Sequence, residues 1–442
     1  MPSVSNRREW RAWYAYDWAV SAFSTTVLSV FLGPYLTGIT QAAAGADGFV
    51  HPAGLPVRAG SFYPYVVSAS VLVQVLVLPL LGSVADRTRW QKQLLGALAY
   101  VGSVATIGLY FLRGDSYILG GALFLVANVA LGASMVVYNA FLPQIASPED
   151  RDRVSSRGWA AGYLGGGLLL LANLFLFLRH DAFGLQQTEA VRISLASAGA
   201  WWAVFTVVPV ALLRNRPPRL ERVRDSAPVR ADVRQLIRTL KEARAYPQTL
   251  LFLAAYLLYN DGVQAVIALA STYGAEALEL AQTTLIGAVL MVQFVAFVGA
   301  LLLGRLARTF GAKRVVLVSL VLWAALLVFA FFLQRGASAQ FFALAFGIGL
   351  VLGGTQALSR SMFSHLIPPG REAQYFVVYE LGERGTTWLG TLAFGLALQL
   401  TGSYRVAIMS LLVFFVAGFA LLTRVDMRGA ISAAGNSQPP RI

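Results

Sequence analysis

At 442 residues, 57% apolar and only 13% charged, with a net charge of +14, this chain is far from a soluble globular domain, in which charged residues run near about 25%. The basic excess would suit nucleic acid, but it falls in short clusters beside apolar runs rather than along one face, so it reads as membrane topology and a nucleic-acid partner is excluded. With no cysteine, disulfide and thiol chemistry are excluded as well.

Runs of about 20 apolar residues, each able to cross a hydrocarbon core of about 30 Å, recur along the chain. They predict twelve helical spans near 11–38, 63–85, 92–112, 115–142, 155–179, 192–214, 248–273, 280–303, 315–334, 338–364, 372–399 and 404–424. A β-barrel would show alternating segments of about 10 residues, and these are lacking. The first span is too long for a cleavable signal peptide and has no small-residue cleavage site.

In span 1, Trp13, Asp17, Ser21 and Thr25 fall four apart on one stripe, with Tyr16 beside them. Asp17 lies only about 9 Å into the span, so it is either part of a site or an interfacial anchor with Trp18 and Arg11. The outer loop from Gly38 to Phe62 is rich in Gly, Ala and Pro and is expected to be irregular. After span 2 comes a basic loop with Gly82, Asp86, Arg87 and Lys92. Span 4 carries Asn128, Tyr138 and Asn139, and interhelical hydrogen bonding is expected for Asn128, Gln74 and Gln293. The steps from Gly162 to Gly166 and from Gly349 to Gly353 allow close helix approach.

The longest polar stretch, Arg214 to Pro247, divides the chain into 1–214, 215–247 and 248–442. Within it Val229, Val233, Leu236, Ile237 and Leu240 share one helical face among arginines, which predicts a basic helix lying on the inner membrane surface or a solvated linker helix. Span 7 places Tyr256, Asn260 and Gln264 on one stripe, with Tyr259 and Asp261 adjacent; Asp261 is about 20 Å from the start of its span, near the midplane. A second basic loop runs from Gly304 through Arg308 to Arg314, and span 11 carries Tyr379, Glu380, Glu383, Arg384 and Thr387 on one face.

The two halves repeat. Gly304 follows Gly82 by 222 positions, Pro369 follows Pro148 by 221, and Tyr16-Asp17 has its counterpart in Tyr259-Asn260. A repeated set of apolar spans is how many transporters build a central site between two halves, and equivalent places in the two are expected to face it. Basic residues gather in the first tail and in the loops after even-numbered spans, which predicts cytoplasmic termini and a cytoplasmic central loop.

Away from the very ends of the spans stand four acids, Asp17, Asp261, Glu380 and Glu383, against two bases, Arg360 and Arg384. A charge at the bilayer centre costs roughly 2.5–3.5 kcal/mol on insertion scales, so each needs a partner or a purpose. Glu380 and Arg384 are four apart and can pair within the helix. Arg360 lies near the inner end of span 10, within reach of a neighbouring acid. Asp261 and Glu383 are then the deep acids, suited to a proton or a cationic cargo, unless Glu383 shares Arg384 in a fixed network. The three histidines fall in loops or at span ends, and no metalloprotease, nucleophile-elbow or phosphate-loop motif occurs. No cofactor and no metal are expected, and transport would draw on an ion or solute gradient.

The segment Gly82-Ser83-Val84-Ala85-Asp86-Arg87-Thr88-Arg89-Trp90-Gln91-Lys92 resembles the loop signature of the major facilitator superfamily, matching in its glycine, Asp-Arg and closing base. The second copy has Arg308 where Asp86 stands. A narrower resemblance covers nearly the whole chain. Ala15-Tyr16-Asp17-Trp18-Ala19, Tyr138-Asn139-Ala140-Phe141-Leu142-Pro143, Gly158-Trp159-Ala160-Ala161-Gly162, Tyr259-Asn260-Asp261-Gly262-Val263-Gln264, Gln356-Ala357-Leu358-Ser359-Arg360-Ser361 and Ile367-Pro368-Pro369-Gly370-Arg371-Glu372 are similar to the vacuole-effluxer-like, autophagy-associated branch.

That resemblance implies an all-α membrane protein with twelve transmembrane helices in two pseudo-symmetric six-helix bundles, alternating access rather than enzymatic turnover, and a gating role for the two basic loops. Fungal members are associated with amino-acid release from the vacuole; the Arg-heavy, Lys-poor composition here suggests a bacterial protein of the cytoplasmic membrane. The leading reading is a monomeric secondary transporter of a small polar solute, amino acids among the candidates, with protons as a candidate coupling ion and Tyr16, Asp17, Ser21, Asn139, Tyr259, Asn260, Asp261, Gln264, Glu380, Glu383 and Arg384 as candidate binding residues. Two alternatives stand beside it: a broad-specificity drug or metabolite exporter, which nine Trp and 27 Phe permit, and a non-transporting membrane sensor on the same fold.

Overall fold

The computed structural model describes residues 7–217, 244–385 and 387–441. Helices dominate, as they must where no water is present to satisfy a backbone in hydrocarbon. The first span comprises α1 (Arg7–Ala22), a nine-residue π-helical stretch (Phe23–Phe31) and α2 (Leu32–Ala42). There follow α3 (Ala59–Arg87), α4 (Gln91–Gly108), α5 (Tyr117–Ile145), α6 (Arg151–Leu178), α7 (Gln187–Leu212), α8 (Pro247–Glu276), α9 (Gln282–Phe310), α10 (Ala312–Phe331) and α11 (Ser338–His365). The chain continues with α12 (Glu372–Gly385), α13 (Thr387–Thr401), α14 (Tyr404–Ser410), α15 (Leu412–Arg424) and the short α16 (Met427–Ala433).

Among the described residues, 11 helical segments are long and apolar enough to cross a membrane. The remaining span expected at 372–399 is described as helix over Glu372–Gly385 (α12) and Thr387–Thr401 (α13), on either side of residue 386, which lies outside the described residues. The architecture is that of a multi-span helical membrane protein, in keeping with the twelve spans expected from the sequence. The outer loop is not irregular throughout, because β1 (Phe49–Val50) pairs antiparallel with β2 (Val57–Arg58). Arg58 closes that hairpin by standing 5.7 Å over the Phe49 ring. The amphipathic helix expected in 215–247 lies mostly outside the described residues.

The chain forms two compact units. Among the described residues, one comprises Arg7–Asn139 and residues 164–217, the other Ala140–Tyr163 and residues 244–385 and 387–441. The end of α5 and the first half of α6 therefore cluster with the second repeat rather than with the first. Polar contacts are among those that join them: Ser155 Oγ donates to Ala357 O at 2.6 Å, and Arg360 Nε donates to Ser155 Oγ at 3.0 Å.

Glycines set the closest crossing in this second unit. A side chain at Gly299 of α9 would run into the Leu350 carbonyl oxygen of α11, and one at Gly353 into the Ala296 carbonyl oxygen. The Gly349–Gly353 step thus brings two backbones together, as the small-residue spacing predicts.

Candidate functional site

In the first unit the acid of span 1 is held by aromatic residues. Trp13 and Asp17 are one turn apart on α1, so both reach the same residue of α5. Trp13 Nε1 donates to Tyr138 O at 3.0 Å, and its ring stacks on that of Tyr138 at 4.4 Å. Tyr138 Oη then donates to Asp17 Oδ2 at 2.6 Å. A short hydrogen bond to a buried carboxylate is among the strong ones. The Tyr16 ring lies 5.0 Å from that of Tyr138, Asn139 is buried next in sequence, and Ser21 is half-buried with its carbonyl accepting from Thr25 Oγ1 at 3.0 Å.

In the second unit the matching positions are neutral. Tyr259 Oη and Ser359 Oγ share a hydrogen bond of 2.6 Å, and Gln356 Nε2 donates to Asn260 Oδ1 at 3.0 Å. The acid comes one residue later. Asp261 is fully buried, and among the described residues no side chain hydrogen-bonds to its carboxylate, which is approached only by the backbone N–H of Gly390. It faces Gly390 of α13, where an added methyl group would stand 3.1 Å from Asp261 Oδ2. Gln264 is half-buried one turn beyond Asn260.

Glu383, read from the sequence as a deep acid without an obvious base unless it shares Arg384, has a tyrosine beside it. Tyr256 Oη donates to its Oε2 at 3.4 Å, and the Tyr256 ring stacks on Tyr379 at 4.3 Å. Tyr379 stacks in turn on Phe363 at 5.2 Å, so an aromatic column backs this carboxylate. Glu380 is buried on the same helix. The side chains of Arg384 and Thr387 lie outside the described residues, and so does the expected pairing of Glu380 with Arg384.

Several residues read from sequence as loop or packing groups have larger parts. Arg151, one of the basic residues of the loops after even-numbered spans, is buried and donates Nη1 to Ser364 O at 2.8 Å. Arg360 sits 5.2 Å over the Trp159 ring and donates Nη2 to Ser155 O at 3.1 Å, so it meets α6. Asn128 makes the expected interhelical bond, to Ser70 Oγ at 2.7 Å. Gln74 and the Gln293 carbonyl oxygen, for which the same was expected, have no partner among the described residues.

Of the basic loops, the first has Gly82 and Asp86 buried and Arg87 exposed, while Asn215 Oδ1 accepts from the Lys92 backbone N–H at 3.0 Å. The second has Arg308 exposed, and a side chain at Gly304 would strike Ser156 Oγ of α6.

A family model described as "Vacuole effluxer Atg22 like" matches residues 5–435. The uncharacterized MFS-type transporter YxiO of Bacillus subtilis is 27% identical over 422 residues, 94% of either chain. Autophagy-related protein 22-1 of Penicillium rubens is 24% identical over 543 residues, 96% of this chain and 90% of the relative. Among solved structures, the proton:xylose symporter XylE gives a TM-score of 0.69 at 12% identity over 95% of both chains. A bacterial homologue of the iron transporter ferroportin, in an outward-facing state, gives 0.67 at 15% identity over 95% of this chain and 98% of that one. What these two structures share with the present chain is the fold.

Proposed function

Since this chain belongs to the vacuole effluxer Atg22-like family of major facilitator transporters, we propose that it moves a small polar solute, with amino acids the first class to test, across a bacterial cytoplasmic membrane by alternating access. It is a multi-pass membrane protein and a secondary transporter, and its family and fold are those of transporters rather than enzymes.

The observation that carries the finer reading is Asp261, a buried carboxylate in mid-span with no side-chain hydrogen bond or basic partner among the described residues. Such a group is costly to keep in hydrocarbon unless its charge is used. Asp261 binds the coupling proton, and Glu383, half-buried against Tyr256, meets the cationic end of the cargo. The test is uptake of a panel of labelled amino acids in proteoliposomes, with a pH-sensitive dye inside. No amino acid moving, or movement without proton flux, sinks the respective half of the reading. The aromatic column of Tyr256, Tyr379 and Phe363 favours hydrophobic amines as a second cargo class, so these belong on the same panel.

The protein works as a monomer whose two six-span halves are joined by the linker 215–247, with both termini and that linker in the cytoplasm. Because the chain lacks cysteine, a cysteine introduced at position 225, outside the described residues, should resist an impermeant thiol reagent in intact cells. The loops around Asp86 and Arg87 and around Gly304 and Arg308 act in gating. Asp86→Asn should lower turnover at normal levels of folded protein, measured as uptake per transporter.

A further inference from the structure

The last turn of α11 leaves its final main-chain carbonyls without helical partners, as any helix C-terminus does. Here four consecutive carbonyls, two at the end of α11 and two just past it, each receive a donor from elsewhere. Ser364 O takes Arg151 Nη1 at 2.8 Å, from the start of α6, and that nitrogen also lies 3.4 Å from His365 Nδ1. Leu366 O takes Thr249 Oγ1 of α8 at 3.4 Å. The carbonyls of His365 and Ile367 both go to Asn436 Nδ2, at 2.8 and 2.7 Å.

Asn436 belongs to the segment after the last span, which is itself fastened at several points. The Asp426 N–H donates to Gln248 Oε1 at 2.9 Å, and Asp426 Oδ1 caps α16 by accepting from the Gly429 N–H at 3.0 Å. Met427, Ala430 and Ile431 are buried. Arg441 Nη1 donates to Thr309 O near the end of α9.

Of the three donors on the α11 end, only Arg151 comes from the first sequence repeat. It alone must leave if the repeats part at this end of the bundle, whereas Thr249 and Asn436 stay. We propose that Asn436 is a positioning residue: by holding the carbonyls of His365 and Ile367 it keeps the last turn of α11 ordered, so that Ser364 O is presented to Arg151 and the closed state of this end is stabilised. The gain is preorganisation, because an acceptor already held in place has less freedom to lose when the arginine arrives. The inference rests on the alternating-access reading above, in which this end opens and closes.

A reporter is available in Val154, fully buried on α6. In a chain with no native cysteine, the Val154→Cys protein should react with a maleimide only as this end opens. Arg151→Ala should raise the labelling rate roughly three- to tenfold, the equilibrium ratio that one or two hydrogen bonds are worth. Asn436→Ala should raise it by a similar or smaller factor. Asn436→Asp, which keeps the shape but loses the donor, should do at least as much, and Asn436→Gln should restore part of the protection. In an Arg151→Ala background the Asn436→Ala effect should disappear, since both act through one turn.

Gln438→Ala removes only bonds within the segment, to Ser432 Oγ and Arg428 O, and should leave labelling unchanged. If it matches Asn436→Ala, the effect is one of segment folding and the inference falls. A response to Arg151→Ala with none to Asn436→Ala or Asn436→Asp, in proteins that melt normally, overturns the inference and leaves the transport reading standing. No response to Arg151→Ala overturns the closing role of Arg151 and the inference together.

Discussion

Asp17 and Asn260 hold matching places in the two repeats, each following a tyrosine and each hydrogen-bonded to a later helix of its own unit. Asp17 receives a proton donor at 2.6 Å from Tyr138, which Trp13 clamps in place. Asn260 makes a neutral amide pair with Gln356 at 3.0 Å. The second repeat still carries an acid, shifted by one residue. One residue turns a helix by about 100°, so Asp261 leaves the face that meets α11 and is turned towards Gly390 of α13. The same local pattern thus yields a carboxylate locked by a side chain in one unit and, among the described residues, one with no side-chain partner in the other. A carboxylate engaged in a short, buried side-chain hydrogen bond serves structure, whereas one approached only by a backbone N–H is available for binding.

The largest expected effect tests that division directly. Asp261→Asn should lower proton-linked uptake roughly tenfold or more, because the group acts in every cycle, and should abolish its pH dependence. Asp17→Asn should keep the pH profile. Proteoliposome uptake across a pH series reads both, and the reverse result would invert the comparison.

Next in size is Tyr138→Phe, which leaves the Asp17 carboxylate buried without this donor. The cost should be about 1.5–3 kcal/mol, seen as a lower melting temperature in detergent. The corresponding change in the second unit, Gln356→Met, takes away a neutral donor from Asn260 and should cost only about 1 kcal/mol in the same assay. Equal losses would mean that the charge on Asp17 contributes nothing.

Tyr259→Phe should be the mildest, at about 0.5–1 kcal/mol. Ser359 Oγ also donates to Thr355 O at 2.6 Å and so keeps a partner. A large loss of uptake in that variant at unchanged stability would move Tyr259 from packing into binding.

Much of this protein could be read without coordinates. Span number, the repeat and the basic loops follow from apolar length and the order of charges, which are properties of a line of residues. The polar stripes on spans 1 and 7 follow from helical period alone. Those features led to Asp17, Asn260 and Asp261, and the Gly349–Gly353 step led to the tight crossing of α9 and α11.

Tertiary structure decided which polar groups are satisfied and by whom. Tyr138 finds Asp17 across 121 positions, Arg360 finds Ser155 across 205, and Asn436 finds Ile367 across 69. Periodicity cannot report such pairings, because they depend on which helices become neighbours and how each is rotated about its axis. For the same reason Gln74, which looked set for an interhelical bond, ends buried without a partner among the described residues, while Glu383, for which the sequence offered only Arg384, receives Tyr256. The grouping of residues 140–163 with the second repeat is also tertiary in origin. A hydropathy pattern specifies that a helix is buried in lipid or protein, and only packing determines against which helix it is buried.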